Sequence, residues 1–207
     1  MEMTAEAQQQ LAQRRLRGRL TLVVLVLVFA LPLVVASWIF YNPQVWTPSH
    51  YTNHGQLIDP PRPVESLSLL DDAGQPFDEN RLRQHWTLMY VGRSECDLSC
   101  EAALFKTRQL RLALGRDIDR LERLYLRTDS QDADGLSGMR EKHPRLTFVG
   151  GDESALAPLM NLLGSDAHDH VYLLDPLGNI VLRYGPEASS KGMLKDVKKL
   201  LRNSRIG

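Results

Sequence analysis

Cys96 and Cys100 are the only two cysteines in 207 residues, and they stand four apart in the run Ser94-Glu95-Cys96-Asp97-Leu98-Ser99-Cys100. Side chains four apart meet on one face of a helical turn, inside the roughly 4.4–6.8 Å Cα range that a disulfide permits. The pair can therefore close as a disulfide, open as a dithiol, or chelate. A thiol at a helix N-terminus faces unpaired amide N–H groups and the positive end of the helix dipole, both of which favour thiolate. Thiolate is the form that attacks disulfides and binds soft metals. Two thiolates suit Cu(I), and one added imidazole would also accommodate Cu(II). The bland role is an inert local staple, although a loop this short contributes little stability through the unfolded state. Glu95, Asp97 and Glu101 flank the pair; their carboxylates oppose thiolate formation and favour a cation.

Positioning such a pair requires a strand before it and a helix after it, and the sequence supplies both. Trp86 to Val91 is a nearly continuous apolar run bounded by Gly92, the pattern of a strand buried on both faces. After the cysteines, Ala103, Leu104, Thr107, Leu110 and Leu114 recur at helical spacing before Gly115. Leu121 to Thr128 reads as a second strand, Leu136 to Lys142 as a short helix and Leu146 to Val149 as a third strand. Ser154 to Leu163 has helical spacing, with Pro158 expected to reset the helix start. Val171 to Leu174 and Asn179 to Tyr184 flank Asp175-Pro176-Leu177-Gly178, a hairpin with proline and glycine in turn-forming places. Ser189 to Arg202 sets Met193, Leu194, Val197, Leu200 and Leu201 on one helical face. A smaller hairpin is expected from Ser66 to Phe77. This alternation predicts an α/β domain built around a mixed sheet flanked by helices.

Upstream, Leu20 to Tyr41 carries no charged residue. At about 1.5 Å per residue such a run crosses the roughly 30 Å hydrocarbon core of a bilayer. Arg14, Arg15, Arg17 and Arg19 precede it, and no Lys or Arg follows until Arg62. The positive-inside rule therefore places the N-terminus in the cytoplasm and the rest of the chain outside. A cleaved signal peptide is the competing reading; the run is longer than a typical signal core and continues past Val34-Val35-Ala36. The expected organisation is a cytoplasmic lead (1–19), a transmembrane helix (20–41), a proline-rich tether (42–63) and an extracytoplasmic domain (64–207). Tyr51-Thr52-Asn53-His54-Gly55 reads as solvated linker within the tether, or as a contact site. An oxidising compartment permits a disulfide, a redox couple or a soft-metal site. With 25 basic against 25 acidic residues and no basic block, nucleic acid is not an expected partner.

The run from Trp86 through Cys100, the strand Leu121 to Thr128 with Asp129, and Tyr172-Leu-Leu-Asp-Pro-Leu-Gly178 together resemble the Sco (SenC-type) proteins over roughly Val64 to Arg202. The resemblance implies a thioredoxin-like domain behind a membrane anchor. It further implies copper as cargo or cofactor, held by Cys96, Cys100 and a later histidine, and a role in assembling the copper site of cytochrome c oxidase, whose subunit or copper-assembly factors would be partners. It implies the bacterial inner membrane, with the C-terminal domain periplasmic. Cys96 would be the attacking or metal-donating thiol and Cys100 its resolving partner. Two positions depart from the family pattern: Glu101 stands where proline usually follows the second cysteine, and Ala167 stands where the histidine usually lies. His168 and His170 are the candidate replacements. The reading that follows is a Sco-like thiol–disulfide and copper-handling protein. Its alternative is a non-catalytic assembly or scaffold factor that keeps the fold and a structural disulfide. A peroxidase reading has no threonine or proline near Cys96 to support it.

Overall fold

The structure is a computed structural model that describes residues 5–42, 52–64, 68–129 and 137–207. Two units are separate by contact: the chain up to Tyr51, and a compact unit from Thr52 to Gly207. The first is a single helix, α1 (Ala5–Tyr41), that runs unbroken through Pro32. Its segment Arg14–Tyr41 is long and apolar enough to cross a membrane, and its apolar side chains are exposed.

The second unit is built on seven strands. They are β1 (Gln56–Pro63), β2 (Leu70–Asp71), β3 (Trp86–Gly92), β4 (Leu121–Arg127), β5 (Thr147–Gly150), β6 (Val171–Leu174) and β7 (Asn179–Tyr184). They form one mixed sheet in the order β1-β7-β6-β3-β4-β5-β2. β3, β4 and β5 are parallel, β6 and β7 form the expected antiparallel hairpin, and β1 and β2 are antiparallel edges. Among the described residues four α-helices complete the unit: α2 (Leu98–Leu112), α3 (Ser137–Lys142), α4 (Glu153–Leu163) and α5 (Ser190–Asn203).

Every residue of β3 is buried, as its unbroken apolar run predicts. The alternation of strand side chains divides the core in two. Leu88, Tyr90, Leu121, Tyr125, Leu173 and Leu182 face α2 and α5, meeting Ala103, Leu104, Leu110, Met193, Val197 and Leu201. Met89, Val91, Leu124, Leu126, Tyr172 and Ile180 face α4, meeting Leu156, Leu159 and Leu163. The mixed sheet flanked by helices is thus the architecture expected, with three adjustments.

The first concerns the expected tether, part of which belongs to the folded unit: Gln56–Pro63 pairs with β7, and the unit starts at Thr52 rather than Val64. Prolines hid this strand. An edge strand tolerates them because one side of its backbone needs no ladder hydrogen bond. The expected tether residues 43–51 lie outside the described residues, as do 66–67 of the small hairpin, whose remainder survives as β2 and the Leu70–Pro76 bridge. The second adjustment is at α4, which starts at Glu153 and passes through Pro158; the Asp152 carboxylate caps it by accepting from Ala155 N–H at 2.8 Å, so proline does not set the start. The third is at α2, which ends at Leu112 before Gly115 takes φ +62°. α3 is described from Ser137, and its expected start at Leu136 lies outside the described residues.

Asp196 lies on the buried face of α5 with 4% of its surface exposed. Its carboxylate accepts from the amides of His54 (2.8 Å) and Gly55 (2.9 Å), from His54 Nδ1 (3.0 Å) and from the Tyr184 hydroxyl (3.2 Å). A Cβ on Gly55 would stand 2.5 Å from the Tyr184 ring, so only glycine fits that approach. The segment expected to be solvated linker is therefore a fastening point, and His54-Gly55 is fixed to the final helix. Burial and the neighbouring Asp196 charge raise the Tyr184 hydroxyl above the ordinary phenol range.

Asp196→Asn removes the charge that four donors share. It is expected to cost about 2 kcal/mol in chemical denaturation, and to speed amide exchange in Gln56–Pro63 more than in β3. Equal protection of both strands would contradict the fastening role.

Candidate functional site

β3 and β4 run parallel, so their C-terminal ends open at the same edge of the sheet, and the cysteine loop leaves from there. Tyr90 lies opposite Tyr125 in the ladder, with ring centroids 5.4 Å apart. The Tyr125 hydroxyl donates to the Arg93 carbonyl at 2.5 Å. A Cβ at residue 92 would meet that hydroxyl at 2.5 Å, which is the reason for Gly92 at the strand end. Thr128 donates to the Gly92 carbonyl through its amide (2.9 Å) and hydroxyl (3.0 Å). Asp129 accepts from Ser94 N–H (2.9 and 3.0 Å) and from its hydroxyl (2.6 Å). Two turns leaving neighbouring strands are thereby pinned together just before Cys96.

Cys96 and Cys100 form a disulfide, with Cα atoms 5.2 Å apart. The geometry differs from the single helical face expected. Asp97 is the N-cap of α2, its carboxylate accepting from the Cys100 amide at 2.9 Å, so Cys96 precedes the helix and Cys100 lies in its first turn. Cys96 is half-buried and Cys100 is buried, 3% exposed. Cys100 Sγ lies 3.7 Å from the Tyr125 hydroxyl. Leu98, between the two cysteines in sequence, is exposed. Glu101 turns outward to Lys142 Nζ at 3.0 Å.

The histidine-bearing loop is sewn to the same edge. Asp169 N–H donates to the Val91 carbonyl (3.0 Å), and Val91 N–H donates to that of His170 (3.2 Å). The Tyr90 hydroxyl donates to Asp169 Oδ1 at 2.9 Å. Asp169 takes φ +61°, a left-handed conformation that aspartate tolerates better than most side chains. Burial and then Asp169 push the Tyr90 hydroxyl above the phenol range, and burial and then Asp129 do the same for Tyr125. Both phenols therefore stay protonated and act as donors.

The two candidate imidazoles differ. His170 Nδ1 donates to the His168 carbonyl at 2.7 Å, which leaves Nε2 to accept from Arg183 Nη2 at 3.0 Å. Both its nitrogens are committed, and a guanidinium stands beside the lone pair a metal would need. His168 Nδ1 is buried with no partner among the described residues. Among the described residues no three His, Cys, Asp or Glu side chains are grouped to hold a metal. The four expected ligands are thus not brought together with the disulfide closed. The residues fit copper in part: two sulfurs once reduced, and His168 as the imidazole with a free nitrogen.

Residues 86–204 match the family described as the transmembrane-like, thioredoxin-like C-terminal domain. The chain belongs to this thioredoxin-like family. Among curated proteins it is similar to the mitochondrial SCO2 homologue of Mus musculus, 26% identical over 153 residues that span 64% of this chain and 60% of that protein. Among solved structures this thioredoxin-like chain is similar to yeast Sco1 with copper bound, with TM-score 0.59 and 19% identity, over 77% of this chain and 96% of that one. It is also similar to BsSco, for which a disulfide switch is described within the Sco family of cytochrome c oxidase assembly proteins: TM-score 0.53 and 16% identity, over 69% of this chain and 96% of that one. The Sco resemblance drawn from the sequence accords with these relatives, and the structural likeness establishes the shared fold.

Tyr90 and Tyr125 escaped the sequence reading because apolar runs hide tyrosines, and what Asp129 and Asp169 hold was not legible because their partners Ser94 and Tyr90 are distant in sequence. The available signal was Tyr90, a hydroxyl-bearing residue near the C-terminal end of a largely apolar strand.

Asp97→Asn keeps a side chain able to cap α2 and removes one carboxylate beside the cysteine pair. In the reduced protein it should raise the alkylation rate of Cys96 at neutral pH by roughly threefold. An unchanged rate would show that the Asp97 charge does not reach the thiol.

Proposed function

We propose that this chain is a membrane-anchored, Sco-like thiol–disulfide and copper-handling protein that assists assembly of the cytochrome c oxidase copper site. The carrying observation is a closed Cys96–Cys100 pair at the start of α2, one sulfur half-buried and the other buried against Tyr125. That asymmetry gives the two sulfurs different work. In the reduced state, Cys96 thiolate attacks a client disulfide, forming a mixed disulfide and releasing one client thiolate. Cys100 then attacks Cys96 Sγ and releases the second, so two electrons pass to the client and the pair closes. A dithiol reductant outside the chain restores it. The sign of electron flow depends on the client's potential.

Copper enters this scheme as cargo. Cys96 and Cys100, once reduced, supply the soft ligands that Cu(I) prefers, and His168 supplies an unengaged imidazole nitrogen. The acidic neighbours Glu95, Asp97 and Glu101 oppose a bare thiolate pair and favour its cation-bound form. The organisation proposed is single-pass in the inner membrane, with the N-terminus cytoplasmic and the domain periplasmic, supported by the arginines before the apolar run. Partners would be an oxidase subunit or its copper-assembly factors.

A second reading is supported by Ala167 at the position where the family carries its histidine and by the engaged nitrogens of His170. In it the chain is a non-catalytic scaffold for oxidase assembly, and the disulfide is a staple.

Titrating reduced protein anaerobically with Cu(I) separates the two. The copper-handling reading predicts one bound equivalent, lost in Cys96→Ser and Cys100→Ser, weakened about tenfold or more in His168→Ala and unchanged in His170→Ala. No stoichiometric copper would sustain the scaffold reading, and equal losses in both histidine variants would remove the distinction between the imidazoles.

A further inference from the structure

Towards the N-terminal ends of β4 and β5, away from the strand ends that carry the cysteines, lies a second polar site. A cleft of about 480 Å³ is lined by Arg81, Arg111, Arg123 and Arg145 together with Asp119 and Glu122. Arg123 occupies a strand position between Leu121 and Tyr125, facing the core under the end of α2, and is only 4% exposed. Among the described residues no carboxylate lies within 4.0 Å of its guanidinium, and its Nε is buried without a partner. The buried His143 lies beside it, with Nδ1 3.5 Å from Nη2. Burial, and then the charges of Arg111 and Arg108, lower the Arg123 pKa to about 10. His143 is lowered too, by burial and then by Arg123, so its imidazole is favoured in the neutral form and leaves the guanidinium charge unoffset.

The carboxylates present do not compensate. Asp119 approaches Arg111 at 3.6 Å and Arg145 at 3.7 Å, and Glu122 approaches Arg81 at 3.9 Å. These separations are longer than charge-assisted hydrogen bonds, which form at about 2.7–2.9 Å. Four guanidiniums against two carboxylates leave an excess of two positive charges around a polar cavity. An unpaired buried charge is costly, and folded proteins retain one where an opposite charge meets it. Guanidinium forks match tetrahedral oxyanions in a bidentate manner.

We propose that this cleft binds a phosphate-type oxyanion, with Arg123 and Arg111 at its base and Arg145 and Arg81 closing over it. The group can arrive as free phosphate or as the phosphomonoester headgroup of a lipid. The site is independent of the cysteine chemistry.

Calorimetric titration of the full chain in non-ionic detergent, at fixed ionic strength, tests this with inorganic phosphate in one arm and short-chain phosphatidic acid in the other. Saturable binding is expected, at least tenfold weaker in Arg123→Met, severalfold weaker in Arg145→Gln and unchanged in Arg93→Gln. Arg145 is exposed, so its variant reports on binding even if Arg123→Met folds poorly. Tighter binding of phosphatidic acid would assign the lipid source, and equal or weaker binding the free anion; either outcome upholds the site. Heat no greater than that produced by sodium chloride, or affinity unaltered in both cleft variants, would overturn it.

Discussion

The parallel pairing of β3 with β4, Tyr90 against Tyr125 and Gly92 against Arg127, is the constraint from which the site is assembled. Parallel strands deliver their C-terminal ends to one edge, and here both ends carry turns whose backbone polar groups must be satisfied. Gly92, Ser94, Thr128 and Asp129 satisfy one another there. The tyrosines extend the order outward. From Cys100 Sγ a continuous path runs to the Tyr125 hydroxyl at 3.7 Å, across the tilted Tyr125 and Tyr90 ring pair, and from the Tyr90 hydroxyl to Asp169 at 2.9 Å. The cysteine loop and the His168–His170 loop are more than sixty residues apart in sequence, yet they share this buried support.

Electrostatics divides the unit into two unlike ends. Around the disulfide, Asp97 caps the helix that would otherwise offer its amides to Cys100, and Asp129 and Asp169 hold neighbouring turns. A helix N-terminus normally favours thiolate; with a carboxylate already seated on it, that advantage is reduced and the site instead favours a pair that is closed or cation-bound. At the other ends of the parallel strands the balance is reversed, with arginines in excess and Arg123 buried among them. A formal charge of zero over the whole chain conceals this separation.

Much of this was legible in the sequence because burial imposes period. The unbroken apolar run of β3, the helical spacing in α2 and α5, and Asp175-Pro176-Leu177-Gly178 each state their element directly. The edge strand β1 was not legible. Its prolines signal an extended tether, and only the buried Asp196 on α5, 142 positions beyond His54, shows where the segment is held. The imidazoles were legible as a pair and not as individuals. Their separation depends on Arg183, whose place beside His170 follows from the β6–β7 hairpin register rather than from proximity in sequence. Sequence spacing likewise put both cysteines on one helical face, whereas the preference of Asp97 for the cap position moved the helix start between them.

The central claim is that the Cys96–Cys100 pair opens and closes in service of function. Its reduction potential tests that most directly: the full chain is equilibrated across dithiol–disulfide buffers, and the oxidised fraction is read by alkylation and intact mass. A working couple should titrate reversibly with a midpoint above about −300 mV, within reach of biological thiol reductants. A midpoint below that value would identify a structural staple and contradict the account.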